Sequence, residues 1–520
     1  MRLPNPLHRS HPAASLGVLL LSLASSAHPR VEGAEWTHYR GPTHDGVYDG
    51  PFQTDWDARP PRLLWRKPAS PALSSLTISA GRAFTQGRRA VAGSDREFAI
   101  ALNAATGEEL WAVNLDQAEY PNGGVGDDDG PRSTPVVDGD HVYVLSSYLR
   151  LYCLEAATGH VVWQRNFPSE FSSAVIPWQN AASPLIVGDL VILNSNAGST
   201  RLIAVRKSDG VTAWRRQNES MTQSTPVLAE VAGITQVIFH AQSGLVSVRP
   251  ETGDLLWRFA LPYSTSTAAS PVVDGNLVYG SAAYSSGSGV VSLAAGGGGS
   301  TITATSRWTR RSFNMNHWAT AIAHLGHIYS VAGQDSTSLR CIDTAAGTEN
   351  WRTSSVGTGD VGYGSVLKAG GALLVLTASG EAVLAELTPT GYHELTHLQV
   401  VEGRTWNSPA LDDGVLYARS TTEIAAWRIA EPTPGAPLTL TPAVTVANGK
   451  AIVVVRSNDG TPITASRAAR ISLLATEDPS QPIALWRSIV TPPRLVDGNV
   501  QLDDPAATVP FRTYRTAEKP

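Results

Sequence analysis

Ala104-Ala105-Thr106-Gly107-Glu108-Glu109-Leu110-Trp111 and Ala156-Ala157-Thr158-Gly159-His160-Val161-Val162-Trp163 are two copies of one phrase: a turn ending in Gly, three residues, then Trp. The phrase returns at 208–214, 251–257 and 345–351, with Trp214, Trp257 and Trp351 always four residues after the Gly. Its spacing of roughly 43 to 52 residues falls in the range that marks propellers and solenoids. The repeat therefore predicts the architecture before any site is considered.

Upstream of each copy stands a small hydroxyl residue, often a Pro, and a short apolar strand. Examples are Ser133-Thr134-Pro135-Val136-Val137, Ser224-Thr225-Pro226-Val227 and Ser408-Pro409-Ala410-Leu411. With Ser183, Ser270, Thr320, Ser365 and a weaker copy at Leu73–Ile78, these make eight inner strands. Turns such as Asp138-Gly139 and Asp274-Gly275 follow, a strong hairpin signal because Gly accepts positive φ. Four antiparallel strands per unit make one propeller blade. Trp308 and the Trp-less stretch Thr390–Leu395 supply two further outer strands. The strand around Trp65, before the first inner strand, is left to complete the last blade. The predicted fold class is all-β: an eight-bladed β-propeller over 28–430, closed by its N-terminal strand. A Pro-rich linker at 431–437 and a small β-sandwich-like module at 438–520 follow.

This count separates the two cysteines. Cys153 falls in the third blade and Cys341 in the seventh, half a turn apart. A disulfide needs Cα atoms within about 4.4–6.8 Å, so two buried free thiols are expected.

The formal charge of −5 gives no basic footprint for nucleic acid. Charged residues at 16% fall below the usual ~25%, which fits short strands and tight turns. Arg2, His8 and Arg9, the apolar run Leu16–Leu23 and Ser25-Ser26-Ala27 read as a cleaved export leader, 1–27. That run is shorter than the ~20 residues of a membrane span, and no Cys follows it for lipid attachment. A periplasmic or secreted monomer is expected.

Three tryptophans break the repeat: Trp178, Trp318 and Trp406, each just before an inner strand. The same loops carry Asp129, Arg132, Gln179, Asn180, Gln223, Asn316, His317, Tyr363 and Asn407. Aromatic walls with a few convergent polar groups suit a ligand pocket at one channel mouth; the alternative is that they cap the channel and satisfy strand ends. Other signals read as structural. Asp127-Asp128-Asp129-Gly130 lacks the ligand spacing of a Ca²⁺ loop. His324 and His327 flank a hairpin turn at Gly326. Gly357-Thr358-Gly359-Asp360-Val361-Gly362 lacks the βαβ context of a dinucleotide fingerprint.

The phrase Asn/Asp-Ala-x-Thr-Gly-x3-Trp resembles the repeat of pyrroloquinoline-quinone (PQQ)-type propellers. Trp36-Thr37-His38-Tyr39-Arg40-Gly41-Pro42, Asp45-Gly46-Val47 and Asp129-Gly130-Pro131-Arg132-Ser133-Thr134-Pro135 are similar to exported PQQ-like repeat proteins of bacterial envelopes. The likeness covers roughly 36–430. It implies either of two functions. One is a non-catalytic scaffold that binds an envelope protein or a small ligand, as in the lipoprotein of the outer-membrane β-barrel assembly machine. The other is a PQQ-dependent alcohol dehydrogenase with PQQ and calcium as cofactors. The second would be expected to show adjacent cysteines and a calcium ligand set, and neither can be assigned in this sequence.

Overall fold

The structure, a computed structural model, describes residues 35–120, 129–261, 263–296 and 301–430, and strands between 440 and 518. The expected leader, the linker at 431–437 and Asp127-Asp128 lie outside the described residues. Contacts divide the chain into a compact unit, Gly33–Thr433, and a second that includes the strands from Leu440 on.

The first unit is an eight-bladed propeller. Blade 1 is split: Ala410–Asp412, Val415–Arg419 and Glu423–Arg428 are completed by Arg62–Pro68 as the outer strand, antiparallel to the third. Blades 2 to 8 follow at 77–117, 136–166, 185–216, 227–260, 272–310, 322–353 and 365–399. Each runs inner to outer in chain order. The turn His324–His327 and the two-stranded loop at 355–360 sit where the sequence places them.

The repeated phrase joins each blade to the next. The Trp65 indole N–H donates to the Ala104 carbonyl of blade 2 at 2.9 Å, and that of Trp111 to Ala156 of blade 3 at 3.1 Å. Trp163, Trp214, Trp308 and Trp351 repeat the bond to Lys207, Pro250, Thr344 and Thr388. The ring lies against the next blade's turn glycine. A Cβ on Gly107 would stand 2.4 Å from the Trp65 ring, and one on Gly159 would stand 2.8 Å from Trp111. Both glycines also hold φ above +70°, where L side chains are strained. Gly and Trp of the phrase thus belong to two different inter-blade contacts. Trp257 departs from the rule, because blade 6 has no Thr-Gly turn, and bonds Gln236 of its own blade instead.

The hydroxyl residues do the same work around the channel. Ser75 N–H donates to Thr134 Oγ1, Thr134 N–H to Ser183 Oγ, and Ser183 N–H to Thr225 Oγ1. Ser270 N–H bonds Thr320 Oγ1, and Ser408 N–H bonds Ser75 Oγ across the closure. Between blades 7 and 8 the joint is made by Arg40. Its Nη1 donates to the carbonyls of Thr320 (2.9 Å) and Val366 (3.1 Å), and its Nη2 to Ala321 (2.8 Å) and Asp45 (3.1 Å). Trp36 and Thr37 bond the inner strands of blades 2 and 3, and Val47–Tyr48 runs parallel to that of blade 8. The segment 36–48 therefore crosses the channel, at the end where the inner strands finish.

Cys153 and Cys341 are buried free thiols in blades 3 and 7, each paired in register with a tyrosine, Tyr143 and Tyr329. Burial pushes them up to about 12 and about 11, so neither is a reactive thiolate near neutrality. In the second unit, a four-stranded and a three-stranded sheet share a core of Val453, Val455, Leu473, Val500 and Leu502.

Candidate functional site: an aromatic channel mouth

The loops leading into the inner strands converge on a cavity of about 370 Å³ that reaches Tyr39 of the crossing segment. Of the residues singled out from sequence, Arg132, Trp178, Gln223, His317, Trp318, Trp406 and Asn407 line it. Asp129, fully buried, stands behind Arg132 and accepts its Nη2 at 2.8 Å. Tyr363 backs the wall, with its ring 4.4 Å from Trp318 and 5.4 Å from Trp406.

Asn180 and Asn316 do not line the cavity. Both are buried and spend their amides locally, Asn180 on the Ala182 backbone and Asn316 on Tyr279 and Val331. Gln179 is buried beside Trp178. Sequence reasoning missed Tyr39, Ser75, Thr134, Thr225, Ser266 and Tyr284 as lining residues. Tyr39 comes from the crossing segment and Tyr284 from a second-to-third strand turn, and neither carries a periodic signal. The hydroxyls were visible only as strand markers.

Trp318 is the centre of the wall. His317 stacks on it at 4.0 Å and 23°, Trp406 leans on it at 4.5 Å, and Arg404 lies 4.8 Å from the Trp406 ring. Trp178 and Gln179 hold φ of +61° and +55° in the turn that begins at Pro177, sparsely populated for such side chains. Arg132 Nη1 fixes this turn through the Trp178 carbonyl at 2.9 Å.

Among the described lining residues the charge is balanced. Arg132 is paired with Asp129, and burial pushes His317 down to about 4, so its imidazole is uncharged near neutrality. His317 Nε2 pairs with the Tyr284 hydroxyl at 2.9 Å. The His317 Nδ1 ring nitrogen, Gln223 Oε1 and Asn407 Oδ1 are buried polar atoms without a hydrogen-bond partner among the described residues. Each such atom costs about 1–3 kcal/mol until satisfied.

The donor set does not fit PQQ with calcium. No Asp or Glu is among the described lining residues, and no cluster of three His, Cys, Asp or Glu occurs among the described residues. Ca²⁺ asks for six to eight oxygen ligands with carboxylates among them. A tricarboxylate also needs more cationic charge than a neutralised Arg132 offers.

One carboxyl behind the mouth is tuned by burial. Glu97 is fully buried, takes the Tyr120 hydroxyl at 2.8 Å and the Ser147 N–H at 3.0 Å, and is pushed up to about 7 by desolvation, with Asp116 adding repulsion. A carboxyl raised in the fold binds its proton there more tightly than in the unfolded chain. Stability is therefore expected to fall as pH rises from about 4.5 through about 7. Glu97→Gln should remove this slope, on the order of 2 kcal/mol. Denaturant melts of both proteins at pH 5 and pH 8 check it, and parallel pH profiles would refute it.

Among the described residues no helix is long and apolar enough to cross a membrane. The family model of outer membrane protein assembly factor BamB matches residues 54–121 and 96–353. The chain is 25% identical to BamB of Yersinia pestis over 219 residues, 37% of this chain and 49% of that protein. It is 25% identical to BamB of Moranella endobia over 280 residues, 49% of this chain and 62% of that protein. It thus spans about half to three-fifths of the length of these relatives. The quinohemoprotein alcohol dehydrogenase from Comamonas testosteroni superposes with a TM-score of 0.55 at 12% identity, over 80% of this chain and 83% of the enzyme, a likeness of fold alone. With its Trp–Gly joints, its eight closed blades and a family match over more than half its length, the chain belongs to the BamB family of PQQ-like propellers.

Proposed function

We propose that this chain is an exported, non-catalytic binding scaffold of the cell envelope, serving outer-membrane protein assembly as the relatives' name states. In this reading 1–27 is the leader, 28–430 the propeller, 431–437 the linker and 438–520 an accessory β module. The chain acts as a monomer in the periplasm, and the aromatic mouth is its ligand-binding surface. The observation that carries it is the family match over 54–353.

Fractionation of the native host tests it. The mature chain should appear in the envelope fraction with its N-terminus after residue 27. A strain lacking it should accumulate less heat-modifiable, folded outer-membrane barrel. Cytoplasmic retention would refute the reading. So would PQQ-dependent dye reduction with alcohols that Arg132→Ala abolishes.

A further inference from the structure

We propose that the channel mouth binds a neutral saccharide, with a pyranose ring against Trp178 and its hydroxyls on the polar groups of the lining. This rests on reading the mouth as a binding surface and names what it takes.

Three observations converge. The first is composition. Trp178, Trp318, Trp406, Tyr39 and Tyr284 share one cavity with Ser, Thr, Asn and Gln side chains. A sugar presents the same combination, an apolar C–H face edged by hydroxyls, and aromatic rings offer it large contact area with polar tips. The second is charge. Arg132 is balanced by Asp129, His317 is held neutral, and no carboxylate is among the described lining residues, so a neutral ligand matches.

The third is hydrogen-bond polarity. Gln223, Asn407 and Ser266 bring amide and hydroxyl side chains to the lining. Ser75, Thr134 and Thr225, also on the lining, each accept a backbone N–H, which leaves the O–H proton and a second lone pair of each hydroxyl. A polyol supplies both donors and acceptors. A planar quinone brings acceptors almost exclusively. A peptide tail brings a carboxylate and an aliphatic side chain, for which Leu73, Ala181 and Ala268 give little wall.

The test is calorimetry and tryptophan fluorescence on the full chain with maltose, cellobiose, N,N′-diacetylchitobiose and a pentapeptide ending in Phe. At least one disaccharide should bind and perturb the fluorescence. Trp178→Ala should weaken it by about tenfold or more, with thermal melting unchanged. Trp178→Phe should recover part of the loss, separating stacking from misfolding. Silence from all three disaccharides overturns the proposal, as does binding indifferent to Trp178→Ala or binding of the peptide alone. New reducing ends released from a bound disaccharide would support the saccharide site while overturning the non-catalytic reading. Failure to bind sugar leaves the fractionation result, and the envelope reading, standing on their own.

Discussion

Trp65→Ala is expected to cost more stability than any other single repeat-tryptophan substitution, about 3–5 kcal/mol by the usual loss for a buried Trp. Trp65 is 7% exposed, bonds Ala104 and packs under Gly107, with Tyr417 at 6.3 Å. Its strand is the outer strand of blade 1, paired from Arg62↔Arg428 to Pro68↔Glu423. A half-buried joint such as Trp111 lies between blades that are neighbours in sequence and stay tethered if it loosens. Trp65 also lies on the strand that closes the ring, paired with Ala426 and packed on Tyr417 from the far end of the propeller sequence, so its loss loosens the closing seam as well as the joint to blade 2. Closing a chain of this length is entropically costly, so the loss is not confined to one contact. Denaturant titration of Trp65→Ala beside Trp111→Ala decides the matter. Equal midpoints would mean that the closing strand is no more critical than any other.

Arg40→Met should destabilise the ring by about 3–5 kcal/mol, the usual range for breaking a buried charged network. Arg40 is 1% exposed, and its guanidinium donates to four carbonyls drawn from blades 7 and 8 and from its own segment. Methionine keeps the bulk but leaves those carbonyls unpaired, at about 1–3 kcal/mol each before relaxation. Lysine should not rescue it, since a point ammonium cannot span the fork. Because Arg40 pins the crossing segment 36–48 to blades 7 and 8, limited proteolysis should cut this segment in Arg40→Met and spare it in the native protein. A variant as stable and as protease-resistant as the native chain would remove the clasp role.

Why the blades were legible and the clasp was not follows from where each interaction's partners lie. The Trp–Gly joint pairs residues about 36 to 45 positions apart and recurs, so a periodic signal carries it. Arg40 meets Thr320 and Val366 at separations of 280 and 326, in a single copy, and nothing local marks a residue whose partners are carbonyls across the ring. The candidate site divides the same way. Trp178, Trp318 and Trp406 stood out by breaking the repeat in loops that chain order sends to one mouth. Asn180 and Asn316 share those loops and residue type with Asn407, yet their amides are consumed by their own surroundings.

The sequence by itself determined the blade number, the split closing blade and the separation of Cys153 from Cys341, because repeat spacing and strand order are local, additive information. Only the tertiary structure decided which polar side chains face the cavity and what charge they leave there. Those depend on which backbone groups reach each amide, carboxylate and guanidinium first. Burial and pairing between distant segments settle that competition, and residue identity alone does not.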